Sequence, residues 1–236
     1  MTPSLPLEVA EVVIDHLRDS KPDLHACCLV CRDWTHRSRF HIFRDVQIGH
    51  QDRLYSLSAL LASQPALRPL VHSVTYSLNA PTKHQVVPVS LLTQLPNVRA
   101  WAFTGSPSGD RPMDFNRQSL SVFRKCAISI RELHISNATF SSCADFGRVL
   151  LAFTNIRALT CATLQFAKRG TLDVVKTRLS KGSFLCSLTS WKMQEASTWL
   201  LLELGSGTPL QYLTVDLKGA RKRESTQMRV GKTKRR

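Results

Sequence analysis

One frame, apolar-x-x-apolar-x-apolar, recurs six times along this chain and constrains its fold more than any other feature. It opens at Val71-His-Ser-Val74-Thr-Tyr76. It returns from Val98, Ile130, Ile156, Leu188 and Leu210, at intervals of 27, 32, 26, 32 and 22 residues. The alternating end of the frame predicts a short strand with one buried face. Between the frames, 119–128, 143–153, 173–179 and 195–204 have helical patterns. Strand and helix alternating at this spacing point to an array of repeats, because the intervals fall in the solenoid range. The competing expectation is an ordinary α/β or α+β domain with parallel strands.

Upstream of the frames the pattern is different. Glu8 and Glu11 stand near the start of an apolar run in which Val9, Val13 and Leu17 recur four apart, with Ala10 and Ile14 beside them. This predicts one amphipathic helix of about three turns, with Pro6 in its first turn. A second helix is expected from Pro22-Asp23, with Leu24, Cys27, Cys28 and Cys31 on one face and Val30 and Trp34 on an adjacent line. A third short helix or turn is expected over 35–43. Three such helices bury little area alone. They need the rest of the chain or a partner to cover them.

The ordered set Leu5-Pro6-x-Glu8-Val9, Val13-Ile14, Leu17, Leu24, Val30-Cys31-Arg32-x-Trp34 and Phe43 resembles the F-box family, most of all the F-box proteins of mushroom-forming fungi. The link between the first two helices is slightly longer than in familiar members, and Phe43 stands where many have Trp. The resemblance covers about the first fifth of the chain. It implies helices that pack into an apolar groove of a Skp-type adaptor, which bridges to a cullin ligase. Carried over, the adaptor-binding set is Leu5, Pro6, Val9, Val13, Ile14, Leu17, Leu24, Val30, Cys31 and Trp34, some of which must form the module's own core. Trp34 reads equally as an interface anchor or a plain core tryptophan.

The frames beyond residue 47 resemble an irregular leucine-rich repeat, best seen in IRELHISNATF over 130–140. The expected fold is therefore α plus α/β: a three-helix module over 1–47, a repeat-like solenoid of short parallel strands and helices over 48–217, and a basic tail over 218–236. On neighbouring strands the residue after each frame's first position runs His72, Arg99, Arg131, Arg157, Thr189, Gln211. Arg99, Arg131 and Arg157 would stack as a ladder. Such a ladder serves either as a stripe for an acidic or phosphorylated protein substrate or as a solvated edge.

The net charge is +15, and 218–236 holds nine Lys/Arg against one acidic residue. That segment has no apolar periodicity and is expected to be disordered. It also stands where a solenoid needs a capping unit. Its clusters suit nuclear localisation or charge-driven nucleic-acid binding, or merely solubility. The rival function is accordingly a basic nuclear protein that binds nucleic acid through this tail.

No signal-peptide pattern or transmembrane run is present, so the expected setting is cytoplasmic or nuclear, with no membrane partner. Seven cysteines then read as reduced thiols. Cys28-x-x-Cys31 is half of a zinc spacing, but no second half follows, and no cofactor or metal is expected. No hydrolase, zinc-protease, dinucleotide or P-loop motif points to an enzyme.

Overall fold

The computed structural model describes residues 6–77, 89–105, 113, 115 and 117–168, with the backbone of 190–194, 212–216 and 226–228. Helices α1 (Leu7–His16), α2 (Lys21–Val30) and α3 (Arg32–Arg44) come first. Pro22 lies in the first turn of α2, whereas Pro6 precedes α1 as its cap, its carbonyl accepting from the N–H groups of Val9 and Ala10 at 3.1 Å. Ile14, Leu24 and Cys27 are buried between the three helices, with Leu17, Trp34 and Ile42 packed around them.

Helix α3 runs straight into β1 (Asp45–Ile48), so the expected boundary at residue 47 falls inside a strand. There follow α4 (Gln51–Ser63), β2 (Ser73–Ser77), α5 (Val89–Gln94), β3 (Ala100–Thr104), α6 (Arg117–Cys126), β4 (Glu132–Ser142), α7 (Cys143–Ala152) and β5 (Ala158–Lys168). The backbones of β6 (Ser190–Gln194), β7 (Tyr212–Asp216) and β8 (Thr226–Met228) complete a sheet whose strands lie side by side in chain order. Strands β1 to β7 pair parallel. The fold is a mixed α/β one. Each of the six frames contains a strand start two residues in.

The frames work because alternate residues meet one core. In β2 and β3, Val74, Tyr76, Trp101 and Phe103 are buried, while Ser73, Thr75, Ala100 and Ala102 are only partly covered. The buried side packs on Leu91 and Leu95, on Leu120 and Phe123 of α6, and on Phe146 and Val149 of α7. Phe123 stands edge-on to Trp101 and Phe103, with ring centres 5.8 and 5.9 Å away, and reaches Phe153 at 4.9 Å. Helix α7 starts where Ser142 accepts the Asp145 N–H at 3.3 Å, an N-cap.

Strands β4 and β5 bend midway at one level. Asn137 (φ 49°) and Thr163 (φ 53°) break the run, and pairing resumes from Ala138 against Leu164. Gly105 closes β3 against this bend, donating its N–H to the Ser136 carbonyl at 2.8 Å. A Cβ on Gly105 would run into the Asn137 carbonyl.

The tail expected to be disordered over 218–236 differs in one place. Thr226–Met228 pairs antiparallel with β7, laying a strand on the last parallel edge. Backbone groups of an open edge favour such pairing whatever the side-chain pattern, so periodicity gave no sign of it. The helical patterns at 173–179 and 195–204 lie outside the described residues.

Candidate functional site

Two features stand out: the outer sides of α1 and α2, and the edge of the sheet at which the strands begin.

The apolar face expected on α1 divides into two lines. Ala10 and Ile14 are buried, and Leu17 packs beside them. Val9 and Val13 point away from that core. Exposure among the large aliphatics Leu7, Val9, Val12, Val13, Leu29 and Val30 runs from 43% at Val13 to 88% at Leu29. Six large exposed aliphatics on two short helices make α1 and α2 the candidate interaction elements of the module.

The expected adaptor-binding set therefore separates. Pro6, Val9, Val13, Val30 and Cys31 are exposed. Ile14 and Leu24 are fully buried, and Leu17 and Trp34 pack on them, so these four hold the module together. Leu5 lies outside the described residues. Leu7, Val12 and Leu29 are additions. Their signal was a surplus of aliphatics beyond what one helical face can hold.

Cysteine positions follow the helix ends. Cys27 is buried and Cys28 half-buried, but α2 stops at Val30, which leaves Cys31 exposed between helices rather than on the α2 face.

An ion cluster fixes α1 to α3. The Arg37 guanidinium donates to both oxygens of Asp15 at 2.6 Å, and His41 Nε2 lies 2.7 Å from Asp15 Oδ1. Arg37 first and His41 second hold the Asp15 carboxyl well below the usual carboxylate range. The same contact raises the Arg37 pKa. His41 is buried, and the Arg37 guanidinium also lies 5.6 Å over the Phe40 ring. The outward aliphatics of α1 are thus held on a clamped helix. One short turn away, Lys21 donates to the Asp45 carbonyl at 3.1 Å and ties α2 to β1.

No family model matches the chain, and no curated protein matches it.

The second feature is the ladder. Asp45, Ser73, Ala100, Glu132 and Ala158 are register partners on β1 to β5. One residue upstream, the chain places Arg44, His72, Arg99, Arg131 and Arg157. Their backbones interlock. The Arg44 carbonyl accepts from His72 N–H at 2.9 Å, and the Arg99 carbonyl from Arg131 N–H at 2.7 Å. The Arg131 carbonyl accepts from Arg157 N–H at 2.7 Å. Arg99, Arg131 and Arg157 do come together as neighbours, and Arg44 and His72 extend the row. The end of α3 supplies Arg44, where no frame marks it. Thr189 and Gln211 lie outside the described residues.

Two asparagines brace the approach to this edge. Asn97 donates to the Pro69 carbonyl at 2.8 Å and Asn155 to the Ile128 carbonyl at 3.0 Å, each bridging to the preceding strand unit. The Arg131 guanidinium reaches the Asn155 carbonyl at 3.4 Å, toward the turn that carries Arg157. Arg44, Arg99 and Arg157 are exposed, and Arg131 is partly so. Unit charges about 5 Å apart repel by roughly 1 kcal/mol in water and roughly 3 kcal/mol at an effective dielectric of about 20.

Among the described residues no group of His, Cys, Asp and Glu could hold a metal ion. No helix among them is long and apolar enough to cross a membrane.

Proposed function

We propose that α1 to α3 form an F-box that docks on a Skp-type adaptor, and through it on a cullin ubiquitin ligase. The body from β1 onward is then an irregular leucine-rich-repeat-like solenoid that captures a protein substrate. One observation carries this reading: the module spends Ile14, Leu24, Leu17 and Trp34 on its own core and still presents Val9, Val13, Leu29 and Val30 outward. A helical module with a satisfied interior has no internal use for those aliphatics. An apolar groove on a partner would cover them. The direct passage of α3 into β1 supports the second half, since a docked module joined without a linker would hold the body at a set angle to the ligase. In this reading the chain performs no chemistry itself. The ubiquitin-transfer step belongs to the assembled ligase, in the cytoplasm or nucleus.

Co-expression with a Skp-type adaptor tests this. The wild-type chain should co-purify with it at equal stoichiometry, and Val9→Glu/Val13→Glu should not, because both sites face solvent in the free chain. Failure of the wild type to co-purify would refute the reading. The rival, nucleic-acid binding through 218–236, would instead show a salt-sensitive association lost on deleting that segment.

A further inference from the structure

We infer that β8 is a detachable strap on the β7 edge, and that the edge beneath it pairs with β7 of a second copy of this chain when the strap lifts. The inference is independent of adaptor docking and concerns the edge of the sheet away from β1.

Strands β1 to β7 run parallel in chain order, and among the described strands β8 alone runs against its neighbour. The link over 217–225 accounts for the reversal, because it is shorter than the roughly one dozen residues or more that a parallel crossover takes. The strap has little to hold it. Strand β7 meets β6 along its whole length, from Tyr212 to Asp216, but meets β8 only at Leu213, Thr214 and Val215. The segment Thr226-Gln-Met228 has one apolar residue to offer a core, against Leu213 and Val215 in β7. So short a strand without an apolar face is marginal even where its backbone groups are paired.

Beneath the strap, β7 is an edge of the kind that recruits another strand. Its sequence Tyr212-Leu-Thr-Val-Asp216 is rich in aromatic and β-branched residues, and the N–H and C=O groups on its outer side need partners. Strand β8 is the opposite case. Arg221, Lys222 and Arg223 precede it and Arg229 follows it. Basic residues beside an edge strand oppose its pairing with another molecule. The strapped chain therefore offers a short, charged edge, and the unstrapped chain a longer, uncharged one.

Direction fixes the occupant. Strand β7 already takes an antiparallel partner about Thr214, which stands opposite Gln227. A second β7 laid antiparallel about the same residue sets Thr214 against Thr214 and Leu213 against Val215. That contact is two-fold and self-complementary, so it closes at a dimer and does not propagate into a fibre.

The test is sedimentation velocity of the full chain over a concentration series, with the wild type beside Thr226→Pro/Gln227→Pro. Two successive prolines remove an N–H from the ladder whichever way the bonds of β8 alternate. The wild type should stay monomeric, and the variant should dimerise with self-association tighter by about tenfold or more. Thr214→Cys placed in the variant should link 214 to 214 through a short bismaleimide, located by peptide mapping, since opposed positions on antiparallel strands hold their Cβ atoms about 4.5–5.5 Å apart. A folded variant that stays monomeric, a wild type that associates as tightly as the variant, or dimers without the 214–214 link would overturn the inference. Should the variant fail to fold, amide exchange of the wild type decides. The 226–228 amides should then exchange about tenfold faster or more than those of 133–135, as a strap that lifts without opening the sheet requires. Equal protection of the two segments would overturn the inference as well.

Discussion

At Gly105 the chain tolerates no side chain, because a Cβ would overlap the Asn137 carbonyl of the neighbouring strand. Backbone cannot yield there as a flexible side chain could. Gly105→Ala should therefore destabilise the body by about 1–3 kcal/mol in urea unfolding, the usual range for overpacking. A change within about 0.5 kcal/mol, normal for an open surface site, would show the approach to be looser. Asp15 gives a prediction in pH. Its carboxyl is held below the usual range by Arg37 and then His41, so its folded pKa is depressed. Such a group stabilises fully above its unfolded value near 3.9 and loses the contribution as pH falls toward the folded value. The stability deficit of Asp15→Asn should accordingly be complete at neutral pH and shrink below about pH 4. Because Asp15 and Arg37 are both partly exposed, added salt should narrow the deficit as well. A deficit that is constant from pH 7 to pH 3 would mean that the charge has no part in clamping α1.

Elements differ in how plainly their residues announce them. Strands β2 to β7 coincide with the six frames because a strand with one buried face must alternate, and Val74/Tyr76, Trp101/Phe103 and Leu133/Ile135 do. Strand β1 carries no frame. It has the sequence Asp-Val-Gln-Ile, and only Ile48 is buried, so alternation had too little length to show. Helix α4 buries Leu54 and Leu61, seven apart, a weak stripe that the frames on either side overshadow. For α1, helical spacing gave the helix but not its orientation, since aliphatics occupy more than one side. The structure resolves this into an inner line through Ala10 and Ile14 and an outer one through Val9 and Val13. Adjacent residues then predict opposite outcomes. Ile14→Ala should cost about 2–5 kcal/mol by opening a cavity, while Val13→Ala should cost under about 0.5 kcal/mol in the free chain. Thermal melting of the two variants decides between this orientation and its reverse. On α6, Phe123 meets three other buried rings, and Phe123→Ala should cost about 3–5 kcal/mol in the same assay.

The whole molecule joins two surfaces through one continuous backbone. Helix α3 ends at Arg44, the first rung of the arginine edge, and its other end packs Trp34 into the helical module. The edge was legible in part, because Arg99, Arg131 and Arg157 hold one position in successive frames. Arg44 was not, since it belongs to a helix and enters the row only through the pairing of β1 with β2. The measurement that bears most directly on the central claim is the dissociation constant for a purified Skp-type adaptor, taken for the wild type and for Val9→Glu/Val13→Glu. The account predicts tight binding by the wild type and a loss of about 100-fold or more in the variant, as for a truncated interface hot spot, with the melting temperature of the free chain unchanged. No binding by the wild type, or equal binding by a folded variant, would contradict it.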